Sequence, residues 1–468
     1  MSELIKFNDR EYSFDCGVVS HRLDDTLQTT ASLAPISYNT LQELVINDSL
    51  FDPFLDATLT IKTKGSGVEA TPLLGFQFFS NNNNGVVLKI QPTDIQGTDI
   101  LFLTENTLEF YGVVCDQAVY GSDGSIEQLQ QFTLHDIKEA RLKETKLAAV
   151  DIPNIRQSES IVKNINDITK RIIGQDIITE GIGDFNNINN SFDYVFPSHF
   201  NGFDAINFLI PYNISIVNNL PVQNILRYDY NRSVFTSTPV VQPLLTPRAQ
   251  SSNIETFILG GDESVQLPEL NRGDAPAAPV PQIISPNNRV NNIAYNNVSF
   301  NIANNDLLPI CVLNTVNPYN VTSMVYIDLE EQIKLFDNNI IKQELARIYG
   351  NNVRLNVDLD VHKLKNNKLN YKIINTNLDI NTAVDVAKAQ LYNSFIFQNM
   401  YMVFTVPGQP YREPGKFINI KPLLLENTGT ATERKLVGQW LVTEVKHVFT
   451  GDGKYNNIIQ CVKPFINK

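Results

Sequence analysis

Charge is scarce in this chain: Asp, Glu, Lys and Arg make up only 19% of 468 residues, with 50 acids against 37 bases. The net charge of −13 argues against a protein that grips nucleic acid through its phosphates, which takes clustered Lys and Arg. It remains compatible with a surface past which nucleic acid slides without sticking. Cysteine is also sparse. Cys16, Cys115, Cys311 and Cys461 are widely scattered with no CxxC pair, and no secretory apolar segment opens the sequence. Reduced, mostly buried thiols in a protein assembled in a cytoplasm are therefore expected. No apolar run approaches the roughly 20 residues that cross a bilayer as a helix. Neither a GxSxG motif nor a phosphate-binding loop is present.

Apolar residues account for 43% of the chain, so it is globular, and its polar surface must come largely from uncharged groups. Asparagine supplies much of it, as in "NNNNG" at 81–85 and "NNINNS" from Asn186, a composition that drift in an AT-rich genome produces. The length is too great for one core and suggests roughly three domains.

Periodicity points to an α+β, mostly β chain. Leu55, Ala57, Leu59 and Ile61 alternate with Asp56, Thr58, Thr60 and Lys62, the pattern of a half-buried strand. "VVLKI" from Val86 and "TLEFYGVV" from Thr107 continue the sheet, and "HDIKEARLKE" offers a short helix, so residues 1–150 are expected to form a first β-module. Residues 151–238 read as a small α+β insertion. There "SIVKNINDITKRIIG" carries a helical stripe ended by Gly174, "FDAINFLI" a second helix stopped by Pro211, and "ILRYDYNRSVFTSTP" two strands around a turn. Prolines recur over 239–320 and predict extended, linker-like backbone. Residues 321–468 are expected to hold a second β-module. It opens with a helix capped by Asp328 and stopped near Gly350, continues with strands "NVRLNVDLDVHKL" and "KLNYKIINTN", and then has a helix over Thr382–Tyr392.

The chain closes with "RKLVGQWLVTEVKHVFTGDGKYNNIIQCVKPF", which reads as a hairpin turned at Asp452 and Gly453 and holds the one tryptophan. By alternation Leu441, Thr443, Val445 and Phe449 face one way and Trp440, Val442 and Val448 the other. A ribbon apolar on both faces needs two covers, and in β-rich proteins the second is often a neighbouring subunit. Sliding this hairpin back by 329 positions (452 − 123) lays it without a gap on "VVCDQAVYGSDGSIEQLQQFT". Val113 falls on Val442, Val119 on Val448, Tyr120 on Phe449, and Asp123 and Gly124 on Asp452 and Gly453. Hairpins resemble one another in composition, so a duplicated unit and a chance likeness both stay open.

The most enzyme-like stretch is "DLDVH", where Asp358, Asp360 and His362 share one face of an expected strand. Alternating ligands of this kind can hold a metal, but they are equally the polar face of an amphipathic strand, and no second His or Cys cluster supports a site. His21, His135, His199 and His447 have no close partners in sequence. "NRGDAP", with Arg272, Gly273 and Asp274, reads as a turn in a linker. "GSG" at 65–67 and "GDG" at 451–453 read as turns, and Glu330 with Glu331 as the first turn of a helix. No catalytic residue, cofactor or metal ligand is expected, and the chain reads as a non-enzyme.

Two stretches carry a likeness to a known family. "LYNSFIFQNMYMVFTVPGQPYREPGKFINIKP" followed by "LVGQWLVTEVKHVF...YNNIIQCVKP" has an order of helix, strand, small-residue turn, Gly-Lys entry into a strand, and closing hairpin. Gly438, Trp440, His447 and Tyr455 stand where similar residues recur. "FDAINFLI" before "RYDYNRSVFTSTP" is a short helix preceding a strand pair. In this order of elements the chain resembles the central baseplate hub of contractile-tailed bacteriophages, a family similar to a tail-tube protein duplicated within one chain. The resemblance covers about half the chain in pieces, and 239–318 has no counterpart. It implies a structural virion protein in the tail baseplate, with two tube-like modules in each chain of a homotrimer. Such a trimer would match a sixfold tail tube on one side and a threefold central spike on the other, and contact other baseplate proteins. DNA would pass through its lumen without specific binding. A glycan-binding or glycan-hydrolysing virion protein, with paired acids in a cleft, is the alternative of another class, and another baseplate adaptor or wedge component is a third.

Overall fold

The computed structural model describes residues 3–20, 32–66, 84–97, 99–102, 108–122, 125–152, 155–156, 160–181, 194–245, 254–259, 289–290, 292–297, 308–310, 322–340, 353–355, 368–374, 380–397, 400–422 and 437–467. It is mostly β, with a few helices.

The first eight strands are β1 (Glu3–Phe7), β2 (Arg10–Ser20), β3 (Ser32–Pro35), β4 (Leu41–Ser49), β5 (Asp56–Ser66), β6 (Asn84–Pro92), β7 (Leu108–Ser122) and β8 (Ser125–Asp136). They lie in the order β1-β2-β6-β7-β8-β5-β4, with β3 on β2. Leu55, Ala57, Leu59 and Ile61 are buried, as their alternation predicts. Helix α1 (Ile137–Glu144) follows directly, capped by the Asp136 side chain accepting from the Lys138 amide.

A four-stranded sheet comes next, ordered β10 (Ile177–Thr179), β14 (Val234–Pro239), β13 (Leu220–Asp229) and β12 (Ile214–Val217), and β9 (Ile155–Arg156) pairs with β11 (Tyr194–Val195). Helix α2 (Ile161–Ile173) begins at Ser160, whose hydroxyl accepts from the Lys163 amide, and ends at Gly174, which takes φ +70°. Its stripe of Ile161, Ile165, Ile168 and Ile172 is buried against α3 (Gly202–Leu209), where Ala205, Ile206 and Leu209 are buried in turn.

The rest of the chain adds β15 (Thr256–Leu259), β16 (Arg289–Val290), β17 (Asn292–Asn297), β18 (Leu308–Ile310), β19 (Thr322–Asp328), α4 (Leu329–Phe336), β20 (Val353–Leu355), β21 (Lys368–Ile374) and α5 (Ile380–Phe397). It closes with β22 (Met400–Pro407), β23 (Phe417–Pro422), β24 (Gly438–Thr450), β25 (Tyr455–Val462) and β26 (Phe465–Asn467). Strands β18, β21 and β19 form a small sheet, and β20 pairs with β26. The Asp328 side chain caps α4 as expected, whereas the predicted stop at Gly350 lies outside the described residues.

Strands β15 to β17 and β22 to β25 belong to the same 15-stranded sheet as β1 to β8, and β24 is the seam. One edge of β24 pairs with β25. The other takes β23 along Gly438–Leu441 and then β4 along Glu444–Thr450. This seam makes a row of eight strands, β17-β22-β25-β24-β4-β5-β8-β7, in which every neighbouring pair is antiparallel.

Two runs of five strands within the sheet follow one pairing order. In the first, β4 pairs with β5, β5 with β8, β8 with β7 and β7 with β6; in the second, β17 pairs with β22, β22 with β25, β25 with β24 and β24 with β23. All of these pairs are antiparallel. Even the bulges agree. Tyr111 faces His135 and Val114 faces Thr133, while Leu441 faces Val462 and Glu444 faces Gln460, the same one-residue slip at the same place. Tyr111 thus corresponds to Leu441, and the ungapped overlay that set Val113 on Val442 is one residue out in this strand. In a strand, that exchanges the two faces.

The bulge also corrects the parity reading of the last hairpin. Alternation put Val445 with Leu441, but the extra residue between Val442 and Glu444 switches the phase, and Trp440, Val442 and Val445 share one core with Met402, Phe404 and Ile459. Leu441 faces a second core with Val462, Phe465 and the helices, and Phe449 a third with Phe7, Tyr12 and Leu44. Both covers of the ribbon therefore come from its own chain, not from a neighbouring subunit.

Candidate functional site

Three parts of the chain meet beside the β24 seam. The first run contributes Asp48 from β4, the inserted sheet contributes Arg227 and Tyr230 from β13 and its turn, and the segment before β23 contributes Arg412 and Glu413. They line a cavity of about 240 Å³. Asp48 points inward there, because β4 alternates and Asp48 shares its buried face with Leu44 and Ile46.

Arg227 Nη2 donates to Asp48 Oδ1 at 2.5 Å. Burial pushes the Asp48 carboxyl up to about 6, against the opposing pull of the guanidinium. Tyr230 ties the same corner to α1: its hydroxyl accepts from the Leu55 amide at 3.0 Å and donates to Asp136 Oδ2 at 3.1 Å. The Tyr228 amide donates to the Pro53 carbonyl at 2.7 Å, so the insertion is held to the first run through backbone as well.

Arg412, 4% exposed, is the matching clamp in the second run. It donates to the Glu255 carboxylate at 2.8 Å and to Asn457 Oδ1 at 2.9 Å, joining β15, β25 and the turn after β22. Beside it His447 is fully buried, with Nδ1 2.7 Å from the Tyr455 hydroxyl and 3.0 Å from Asn457 Nδ2. Burial, aided by the Arg412 charge, lowers its pKa to about 3, so the imidazole is neutral. A neutral histidine stacked on Tyr455 is a packing group.

One cluster has the composition of a metal site: Asp56, His135 and Glu139, whose ligand atoms lie within 4.8 Å of one another. His135 Nδ1 is 2.6 Å from Asp56 Oδ1 and 3.5 Å from Glu139 Oε1. Lys143 supplies the cation itself, its Nζ 2.7 Å from Glu139 Oε1 and 3.1 Å from His135 Nε2. An ammonium in that position makes the group an ion-pair network that fastens α1 to β5 and β8. Burial, with the Asp56 charge adding to it, raises Glu139 to about 7.

Asp358, Asp360 and His362 lie outside the described residues, as do Arg272, Gly273, Asp274 and His21. His199 rests edge-on against Phe200. Gly451 and Gly453 hold the last hairpin's turn, Gly453 with φ +82°. Glu330 and Glu331 occupy the first turn of α4. Sequence reasoning missed both clamps. Asp48 and Arg227 are 179 residues apart and Glu255 and Arg412 157, so no local spacing signals either pair. Among the described residues, no helix is long and apolar enough to cross a membrane.

No protein-family model and no curated protein sequence matches the chain. Among solved structures it is similar to the 43 kDa tail protein of prophage MuSo2 from Shewanella oneidensis, at 12% identity over 97% of this chain and 99% of that one, with a TM-score of 0.43. It is also similar to the tail protein from Neisseria meningitidis MC58, at 8% identity over 96% of both chains and a TM-score of 0.41. A third is the E. coli c3393 protein, described as a type VI secretion component structurally similar to the T4 bacteriophage tail proteins gp27 and gp5. That match has 9% identity over 91% of this chain and 73% of that one, with a TM-score of 0.37. Of these three solved structures, two are tail proteins and one is a secretion component described as similar to phage tail proteins.

Proposed function

We propose that this chain is the central hub of a contractile phage tail baseplate, a non-enzymatic virion protein that acts as a homotrimer. The observation that carries the reading is the common pairing order of the two five-strand runs, bulge included. Two tube-like modules in each of three copies make six similar units around an axis, while the insertions follow only the threefold. Such a ring presents sixfold contacts to a tail tube protein and threefold contacts to a central spike protein, with other baseplate proteins outside. Residues 1–150 hold the first module and 151–238 the insertion, while the second module is drawn from 321–468 together with β17 of the Pro-containing 239–320.

A closed ring removes the exposed strand edges that make open sheets prone to aggregate. The net charge of −13 suits a lumen through which DNA passes without sticking. Assembly would take place in the host cytoplasm and the product would reside in the virion. Mass measurement of the purified chain in solution, alone and with its spike partner, tests this. A threefold complex is expected; a chain that stays monomeric in both cases overturns the reading.

A further inference from the structure

The row of eight strands ends in two edges that already have a matched counterpart inside the chain. At one end, β17 pairs with β22 and with no other described strand. At the other, β7 pairs with β8 from Phe110 to Ser122 but with β6 only as far as Gly112, and no other described strand is paired with the continuation beyond it. In the pairing order of the two runs, β17 takes the place of β4 and β7 the place of β24. Those two strands are joined at the seam.

We propose that β7 of one copy pairs with β17 of the next, antiparallel, in the register that β24 and β4 make within the chain. The proposal rests on the ring reading above and names the edges that close it. Direction is consistent: neighbours in the row alternate, so an even number of strands leaves β7 antiparallel to the following β17. A heterologous, head-to-tail contact of this kind gives a closed ring when the rotation closes.

The register follows from the pairings. Tyr111 stands for Leu441, so Ala118 stands for Val448 and Val119 for Phe449. Asp56 pairs with His135 as Tyr401 pairs with Val462, and Asn47 pairs with Asp56 as Asn296 pairs with Tyr401. Asn296 therefore stands for Asn47, Ala294 for Val45 and Ile293 for Leu44. Within the chain Val448 faces Val45 and Phe449 faces Leu44. Between copies the same register sets Ala118 opposite Ala294 and Val119 opposite Ile293. Small faces small and β-branched faces β-branched, as cross-strand pairing favours.

At the seam the Leu50 amide donates to the Thr443 carbonyl and the Gly451 amide to the Gln42 carbonyl. Counting from either bond makes Val448–Val45 a non-hydrogen-bonded pair, so Ala118–Ala294 is one too. Such pairs hold their Cα atoms about 4.5 Å apart, within the range a disulfide spans.

Cysteine cross-linking tests the proposal directly. The double variant A118C/A294C, oxidised and run under denaturing conditions, is expected to move most of the chain into a ladder that ends at a covalent trimer. Mixing the single variants A118C and A294C should give nothing larger than a dimer. V45C/V448C, expected to cross-link within one chain, is the positive control, and the wild type controls for the native thiols. Hydrogen exchange needs no variant: the amides of Gln117, Val119, Ile293 and Tyr295, which form the hydrogen-bonded pairs of this register, should be protected in the assembled protein and lose that protection on dilution to monomer.

A trimer by mass without cross-linking or protection at these strands overturns the edge assignment and leaves the hub reading standing. Stronger cross-linking of A118C/N296C than of A118C/A294C overturns the register, and a ladder extending past trimer overturns ring closure. A monomer under all conditions overturns both readings together.

Discussion

Replacing Arg227 with methionine removes the cation from a carboxylate that is 4% exposed while keeping most of the side-chain volume. Breaking one partner out of a buried ion pair costs about 3–5 kcal/mol. Arg227 keeps 23% of its side chain exposed, so water reaches the cavity and the lower end, about 3 kcal/mol, applies at pH 8. The loss should depend on pH in a specific sense. Asp48 has its folded pKa raised by burial to about 6 from an ordinary 3.8. Its stabilising contribution is therefore complete below 3.8 and is lost as pH rises through about 6. Without the guanidinium the carboxyl rises further, so the variant loses most above pH 6. At pH 5 the wild-type carboxyl is mainly protonated, and the variant should lose only about 1 kcal/mol, the worth of one hydrogen bond. Urea unfolding at the two pH values, read at the first transition because a chain of this size need not unfold in one step, measures both losses. Equal losses at pH 5 and pH 8, or a gain at pH 8, would refute the reasoning.

Glu139 offers a second pH test: its folded pKa, raised to about 7, makes its contribution complete below an ordinary 4.5 and lost as pH rises through 7. Glu139→Gln should flatten that decline in thermal melts between pH 5 and pH 8. Trp440 is fully buried, so its emission should be blue-shifted, and Trp440→Ala should cost about 3–5 kcal/mol in urea unfolding. A Cβ on Gly451 would lie 2.0 Å from the Leu41 carbonyl oxygen, so Gly451→Ala should force β24 and β4 apart. The expected cost is about 1–3 kcal/mol, with faster amide exchange at 43–49. His447, held at about 3, should show no ring titration by NMR between pH 5 and pH 8.

Local elements were legible because their causes are local. Ser160 and Gly174 bound α2 by side-chain capping and a left-handed residue, and both act within a few positions. The alternation in β5 and the Asp-Gly turn of the last hairpin are of the same kind. Reading by parity failed at β24, since a bulge inserts one residue for a packing reason that its own sequence does not announce. The likeness of the two hairpins was visible as a pattern but aligned one residue out along β24, for the same cause. The Asp48–Arg227 clamp left no trace in the sequence, as its partners become neighbours only when the inserted sheet docks against β4.

What the sequence determined unaided is therefore what spacing of two to four residues sets: the faces of strands without a bulge, such as β5, the ends of α2, the hairpin turn, and the sparse, acidic charge. The tertiary structure alone decided how the two runs join. Backbone hydrogen bonds between β4 and β24 are made by groups that every residue carries, so their pairing is selected by the fit of whole sheets and not by any local signature.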